Sequence, residues 1–368
     1  QNFAVITPNT SIGAMAPYAL ADLRVPDGVT PVSLAQNEHV YAPSAAAVEA
    51  AMIAMQQGNL YPDADWIALR EAIAKVHKLD PGSILCGAGS MELIVALGIA
   101  YLNSETRVLI SEYGYAFMRT VAQMVGAPVD RAPEQDYCVD VDALLGAVQH
   151  DTRVLFLANP GNPTGTRISA AELRELRARL PASVLLIIDE AYAEFVEGAE
   201  NEALFDLVQR GDTVVLRTFS KIYGLAGLRV GWGCFPAEIV ATLRKSLTPS
   251  NVSLVSQAAA STAIQDQTAM VAVRGEINRR RDTFAHGLRE LGLQVPRSHT
   301  NFVLMEFASA DAASSAFEAL RAQGVLLRPM GGYGLHHCLR ATIGSQEQVD
   351  FALDVLRRWV ASGESDDG

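Results

Sequence analysis

The chain has 368 residues, 49% of them hydrophobic and 19% charged, which is enough apolar material for more than one ordinary domain. A net charge of −12 and the lack of any basic block argue against a nucleic-acid partner. With no uncharged apolar run of 18 residues, and with Cys86, Cys138, Cys234 and Cys338 scattered without a CxxC or His/Cys cluster, neither a membrane helix nor a metal centre is expected, and a cytoplasmic protein is.

The first local signal is Tyr61-Pro62-Asp63, a turn between two helical stretches. Next, Cys86-Gly87-Ala88-Gly89-Ser90-Met91-Glu92 leads into an apolar helix over 93–102. Glycines at such a helix start leave backbone N–H groups free to face an anion. Apolar runs at 106–111, 154–158, 184–189, 213–218 and 229–235 read as buried strands, with helical periodicity between most of them, as at 169–180 and 201–210. This alternation predicts an α/β protein with a mainly parallel sheet flanked by helices. Ligands of such sheets bind beyond the carboxyl ends of the strands.

Three strand ends carry chemistry. Val154-Leu155-Phe156-Leu157-Ala158 runs into Asn159-Pro160-Gly161-Asn162-Pro163-Thr164-Gly165, a turn dense in Asn, Pro and Gly. The run at 184–189 is too apolar to face water, yet it ends in Asp189-Glu190-Ala191-Tyr192. A buried carboxylate needs a partner, either a structural one such as a helix N-terminus or a protonated ring nitrogen. The strand at 213–218 ends in Thr218-Phe219-Ser220-Lys221, with Arg229 eight residues after the lysine. Desolvation and a second cation favour a neutral, nucleophilic amine. Hydroxyls with a guanidinium can hold a phosphate dianion. Asn162, Asp189 and Lys221 all follow strand ends, so one crevice can hold all three.

After about residue 255 the pattern changes. Helical stretches at 257–266 and 272–291 precede short strands at 301–307, 325–328 and 338–343, with helices at 311–323 and 346–360. This reads as a smaller α+β domain. The tail over 362–368 is acidic and polar, and fraying is expected there.

In order and spacing, Asn-Pro-x-Asn-Pro-Thr-Gly, Asp-Glu-Ala-Tyr and Ser-Lys followed by the distant arginine resemble the fold-type I pyridoxal-phosphate aminotransferases. The likeness is nearest to the histidinol-phosphate aminotransferase branch, which includes aromatic amino acid aminotransferases, and it covers nearly the whole chain. It implies an aspartate-aminotransferase-like fold: a large domain over 41–255, a small domain over 256–368, and an arm over 1–40 that joins the small domain. It implies a homodimer with shared active sites, in which Tyr61 reaches the partner's cofactor phosphate.

The remaining roles also follow from the resemblance. Lys221 would bind pyridoxal phosphate covalently, and Asp189 would keep its ring nitrogen protonated. Asn162 and Tyr192 would bond its phenolic oxygen. Ala88, Gly89, Ser90, Thr218, Ser220 and Arg229 would form the phosphate cup, with Met91 standing where the family usually has a polar residue. An aromatic residue stacks on the ring; an ungapped helix alignment points to Tyr115, with Tyr113 as competitor. Arg340 would clamp a substrate α-carboxylate, and Arg328 with Tyr18 would receive a distal phosphate. Asn37-Glu38-His39-Val40-Tyr41 departs from the usual Asn-Glu-Asn-Pro, which affects the substrate pocket.

The implied reaction is a ping-pong transamination through pyridoxamine phosphate, between histidinol phosphate or an aromatic amino acid and 2-oxoglutarate/glutamate. A decarboxylase resembling threonine-phosphate decarboxylase is the rival within the same cofactor class. An effector-sensing regulator would need a basic DNA-binding module that is absent here. A nicotinamide dehydrogenase would need a third glycine after Gly87-Ala88-Gly89.

Overall fold

The computed structural model describes residues 6–198 and 203–363. Seven strands form the main sheet: β1 (Ile84–Gly87), β2 (Arg107–Ser111), β3 (Val129–Ala132), β4 (Thr152–Ala158), β5 (Leu185–Asp189), β6 (Thr213–Thr218) and β7 (Gly231–Cys234). Their spatial order is β1-β7-β6-β5-β4-β2-β3. Strands β2 to β6 pair in parallel, and β7 runs antiparallel to both of its neighbours, β6 and β1. The composition of the central strands explains the layering. Leu186, Ile187 and Ile188 are each at most 1% exposed, so both faces of β5 need cover, and helices supply it. Each such side chain contributes about 1.5–3 kcal/mol on burial.

Two strands escape the hydrophobic pattern. β3 reads Val-Asp-Arg-Ala at the sheet edge, where Arg131 is exposed, so no apolar run marks it. β1 is only four residues long and merges into the glycine-rich entry of the next helix. The run expected at 229–235 is β7, which opposes the other strands because the loop after β6 turns straight back beside it.

The C-terminal part holds an antiparallel sheet of β8 (Phe302–Glu306), β9 (Arg328–Met330) and β10 (Leu335–Thr342), in the order β8-β10-β9. The run expected at 325–328 divides. Val325–Leu326 pairs in parallel with Val32–Ser33, while Arg328 belongs to β9. Helices Leu254–Ala263, Gln267–Glu290, Ala310–Ala322 and Gln346–Ala361 match the expected periodicities within a few residues. The last is started by a reciprocal capping box, with Ser345 and Gln348 bonding each other's backbone. Ala170–Arg179 begins the same way on Ser169 and Glu172. Of the helix expected at 201–210, residues 201–202 lie outside the described residues and Phe205–Val208 is helical. Of the tail, 364–368 lie outside them.

Among the described residues there are two principal hydrophobic cores. One draws on residues from Ala47 to Ile264, including Ala259, Ala260 and Ala263 of the helix after residue 253. The other joins Leu34, Tyr192, Phe195 and Ile222 to side chains between Ile277 and Trp359. Leu34, Tyr192 and Ile222 thus tie the arm and the β5 and β6 loops to the second core. The functional cleft opens along this seam.

Candidate active site

The loops after β1, β2, β4, β5 and β6 converge on one cleft of about 1100 Å3, and β9 and β10 face it from the second core. Asn162, Asp189, Tyr192 and Lys221 line it, as do Ser90, Tyr115, Thr218, Ser220 and Arg229. Arg340, Arg328 and Tyr18 line it from the other side. The parallel order of β2 to β6 puts these carboxyl ends on one edge of the sheet, so the sequence pattern accounts for the convergence.

The anion cup is built at the start of helix Ser90–Tyr101. Gly89 is its N-cap with φ 79°, and no side chain caps it. Ser90 and Met91 of its first turn line the cleft. A Cβ on Gly89 would lie 2.6 Å from Arg229 Nη2, so only glycine lets the guanidinium approach this closely. Arg229 Nη1 donates to Ser220 Oγ (3.4 Å) and to the Ala226 carbonyl (2.9 Å). The Ser220 N–H donates to Thr218 Oγ1 at 3.1 Å. The Ala88 N–H is taken: it donates to Glu92 Oε2 (2.6 Å), which also accepts from Asn251 Nδ2 (2.7 Å). Ala88 shapes the loop through that bond, and the helix start beyond it carries the open donors.

Asp189 is 4% exposed, and its side chain accepts the Ala191 N–H at 3.1 Å. No ion pair to it occurs among the described residues. Burial therefore pushes its carboxyl up to about 6, the Ala191 bond opposes this, Glu190 adds to it, and Lys221 opposes it. Glu190 itself is engaged elsewhere, in a buried triad with Arg217 (2.7 Å) and Glu194.

Lys221 Nζ donates to the carbonyls of Asn37 (3.1 Å) and Gln36 (3.5 Å) and lies 5.6 Å from the Tyr192 ring centre. Burial, then Arg340 and Arg229, lower its ammonium to about 8, against the opposing pull of Glu38 and Asp189. A large fraction of the amine is neutral at mildly alkaline pH.

Arg340 is buried. Its Nη1 donates to Asn162 Oδ1 (2.6 Å) and its Nη2 to the Ala35 carbonyl (3.0 Å), while its Nε has no acceptor. Among the described residues no carboxylate pairs with it, so the guanidinium suits an anion brought from outside. Arg340 and Arg328 are register partners across β10 and β9, which puts them on the same face of that sheet. Arg328 Nη2 donates to the Ala19 carbonyl at 2.7 Å, beside Tyr18.

These bonds also orient the two neutral donors. Because Asn162 Oδ1 accepts from Arg340, its amide N–H groups remain for another acceptor. Because the Tyr192 hydroxyl accepts from Asn37 Nδ2 (2.9 Å), its own proton is free to donate onward. The bond from Asn37 to Tyr192 is a feature that sequence reasoning missed, although it placed Asn37 in a segment that shapes the pocket. Asn37 is 1% exposed with φ 54°, and its N–H donates to Thr342 Oγ1 at 2.9 Å. Its sequence signals are its place at the head of Asn37-Glu38-His39-Val40-Tyr41 and its type, since Asn tolerates a left-handed φ.

Tyr115 lines the cleft as N-cap of helix Ala116–Val125. Tyr113 packs against Tyr137 at 5.8 Å, in a small cluster with Cys338. Tyr61 is 93% exposed and outside the cleft of its own chain. Among the described residues no group of three potential metal ligands occurs, and no helix is long and apolar enough to cross a membrane.

The site suits the pyridoxal phosphate that the resemblance implies. A buried carboxylate lacks a cation, an amine is held partly neutral, and an uncapped helix start meets a guanidinium. The sequence matches the aminotransferase class I and II profile over residues 29–356. It is 42% identical over 358 residues to a histidinol-phosphate aminotransferase of Maricaulis maris, covering 95% of this chain and 98% of that one. The histidinol-phosphate aminotransferase of Sinorhizobium meliloti, solved in complex with pyridoxal-5'-phosphate, superposes with a TM-score of 0.89 at 25% identity, covering 98% and 99% of the two chains. A variant of Thermus thermophilus aspartate aminotransferase shares the fold, with a TM-score of 0.80 at 22% identity over 96% and 100% of the chains. The chain belongs to the class I and II aminotransferases.

Proposed function

We propose that this protein is a pyridoxal-phosphate-dependent aminotransferase that interconverts histidinol phosphate and imidazole acetol phosphate, with glutamate and 2-oxoglutarate as the second pair. The observation that carries the substrate class is Arg328, on the cleft wall without a carboxylate partner among the described residues and in register with the buried Arg340. The 42% identity to a protein of that activity supports the same choice.

Asp189, Tyr192, Asn162 and Lys221 would hold the cofactor ring, and Gly89, Ser90, Thr218, Ser220 and Arg229 its phosphate. When bound, the cofactor supplies a carbonyl for covalent bonding to an amine and a protonated ring that accepts electron density. The chain's own residues supply the rest. Asp189, ionised, pairs with the ring N–H. Tyr192 and Asn162 donate to the phenolic oxygen. Lys221 Nζ would take the proton from the substrate α-carbon as a general base and, as the conjugate acid, give it up to the cofactor rather than back to that carbon. Arg340 clamps an α-carboxylate where the substrate has one. Arg328 with Tyr18 receives the phosphate of histidinol phosphate or the distal carboxylate of glutamate.

The two cores support a division into a cofactor-binding domain over 41–255 and a smaller domain over 256–368 joined by the arm, with the first core running on to Ile264. A homodimer completes the site in this reading. Tyr61 reaches the partner's cofactor phosphate, and Met52, Ile53, Met55 and Leu60, each at least 58% exposed, are covered by the second copy. A second reading, an aromatic amino acid as donor, draws on Tyr18, Tyr115 and Tyr333 in the cleft wall.

The test is a panel on the holoenzyme: histidinol phosphate, phenylalanine and threonine phosphate, each with 2-oxoglutarate, following glutamate and carbon dioxide. Histidinol phosphate is expected to give the highest kcat/KM. Preference for phenylalanine would replace the substrate assignment, and carbon dioxide from threonine phosphate would replace the reaction class.

A further inference from the structure

The cleft extends beyond the residues that the proposed reaction uses. Toward the sheet edge it is lined by Arg119, on helix Ala116–Val125, and by Arg131, on β3. β3 lies four strands from β6, whose end carries Lys221, a lateral distance of about 19 Å at about 4.8 Å per strand. Neither arginine has a carboxylate partner among the described residues. Arg119 is half-buried; its Nη2 donates to the Gly332 carbonyl (3.0 Å), and its guanidinium lies 5.6 Å from the Tyr333 ring centre. Burial and the charge of Arg131 both weaken its hold on its proton, the sign of two cations facing one space. The acidic groups nearby do not neutralise them. Asp22, which shares the cleft, is engaged by Arg24 at 2.6 Å, and Asp130, beside Arg131 on β3, pairs with Arg107 at 3.1 Å.

In a chain of net charge −12, two unpaired arginines at a cleft mouth form a local positive field. We infer that Arg119 and Arg131 form an outer anion subsite that captures the phosphate monoester of the incoming substrate before it reaches Arg328 and Tyr18. The inference rests on the proposed use of a phosphorylated substrate. Arg131, on the edge strand, stands too far from Lys221 to take part in bond making, and Arg119 bonds only the Gly332 carbonyl among the described residues, so the pair acts on capture: it governs kcat/KM and leaves kcat to the inner residues.

The test compares wild-type holoenzyme with Arg131→Gln, Arg119→Gln and Arg119→Lys. Lys245→Gln, exposed and outside the cleft, controls for net charge. Because rim charges act on capture rates and their salt dependence, kcat/KM for histidinol phosphate should fall roughly threefold in Arg131→Gln and roughly tenfold in Arg119→Gln. Salt dependence should flatten in both, Arg119→Lys should recover most of the loss, and Lys245→Gln should behave as wild type. Phenylalanine turnover should be inhibited by inorganic phosphate in wild type, and less so in Arg131→Gln. Unchanged kcat/KM and unchanged phosphate inhibition in Arg131→Gln would overturn the subsite, as would an equal loss with phenylalanine. If wild type does not turn over histidinol phosphate, the substrate assignment fails, and phosphate inhibition in the two enzymes still decides the subsite on its own.

Discussion

Replacing Asp189 by asparagine should stabilise the protein stripped of its cofactor and cripple the loaded enzyme. Burial in the cleft raises the carboxyl from an ordinary value of 3.8 to about 6. Its ionised form is thus disfavoured on folding by about 3 kcal/mol, at about 1.36 kcal/mol per tenfold. The sign follows from proton counting. Between pH 3.8 and about 6 the folded state holds more of this proton than the unfolded chain does, so stability falls as pH rises through that window. The penalty is absent below it, about half developed near pH 5 and complete by pH 8. Asparagine keeps an oxygen for the Ala191 N–H and carries no charge, so the variant escapes the penalty. With an unfolding entropy of about 2.1 cal/mol/K per residue, the 368-residue chain should gain about 4 °C in Tm at pH 8, and less at pH 5. Thermal unfolding of both apoproteins at the two pH values measures this. With cofactor bound the order reverses, because the wild-type carboxylate gains a cationic partner, and turnover of the variant should be orders of magnitude lower. Equal apoprotein Tm values at pH 8, or a less stable variant, would refute the claim that Asp189 waits unpaired in the cleft.

Other expectations follow from the same geometry. Borohydride reduction of the holoenzyme followed by peptide mapping should label Lys221; a label on Lys245 instead would remove it from the centre of the scheme. Losing one partner of a buried charge pair costs about 2–5 kcal/mol, or roughly 30- to 5,000-fold. Arg340→Ala should lose that much kcat/KM with glutamate and phenylalanine. Arg328→Ala should lose it with histidinol phosphate and glutamate while sparing phenylalanine, and equal damage to all three would make Arg328 structural. If Tyr61→Phe is impaired, refolding it together with Lys221→Ala should give hybrids more active than either parent; confirmed hybrids with no gain would argue against a shared site. Asn37→Gly keeps the positive φ but frees the Tyr192 hydroxyl, so the visible absorbance of the holoenzyme should titrate at a higher pH. An unchanged titration would mean that Asn37 serves only to hold the arm.

What the sequence determined by itself lies at the strand ends. The apolar runs before Asn162, Asp189 and Lys221 are buried on both faces, and their alternation with helices brings their carboxyl ends to one edge of a parallel sheet. Burial and strand direction are local or nearest-neighbour properties, so residue order is enough to read them. β3 stayed hidden because its polar edge residues carry no such signal. Other features needed the tertiary structure. Tyr115 rather than Tyr113 faces the cleft because of where its helix begins. Arg328 stands beside Arg340 because β9 and β10 pair in one register. Asn37 meets Tyr192 across 155 residues and Thr342 across 305. Contacts over such separations depend on how two cores and an arm pack together, and no short-range pattern of residue types encodes that packing.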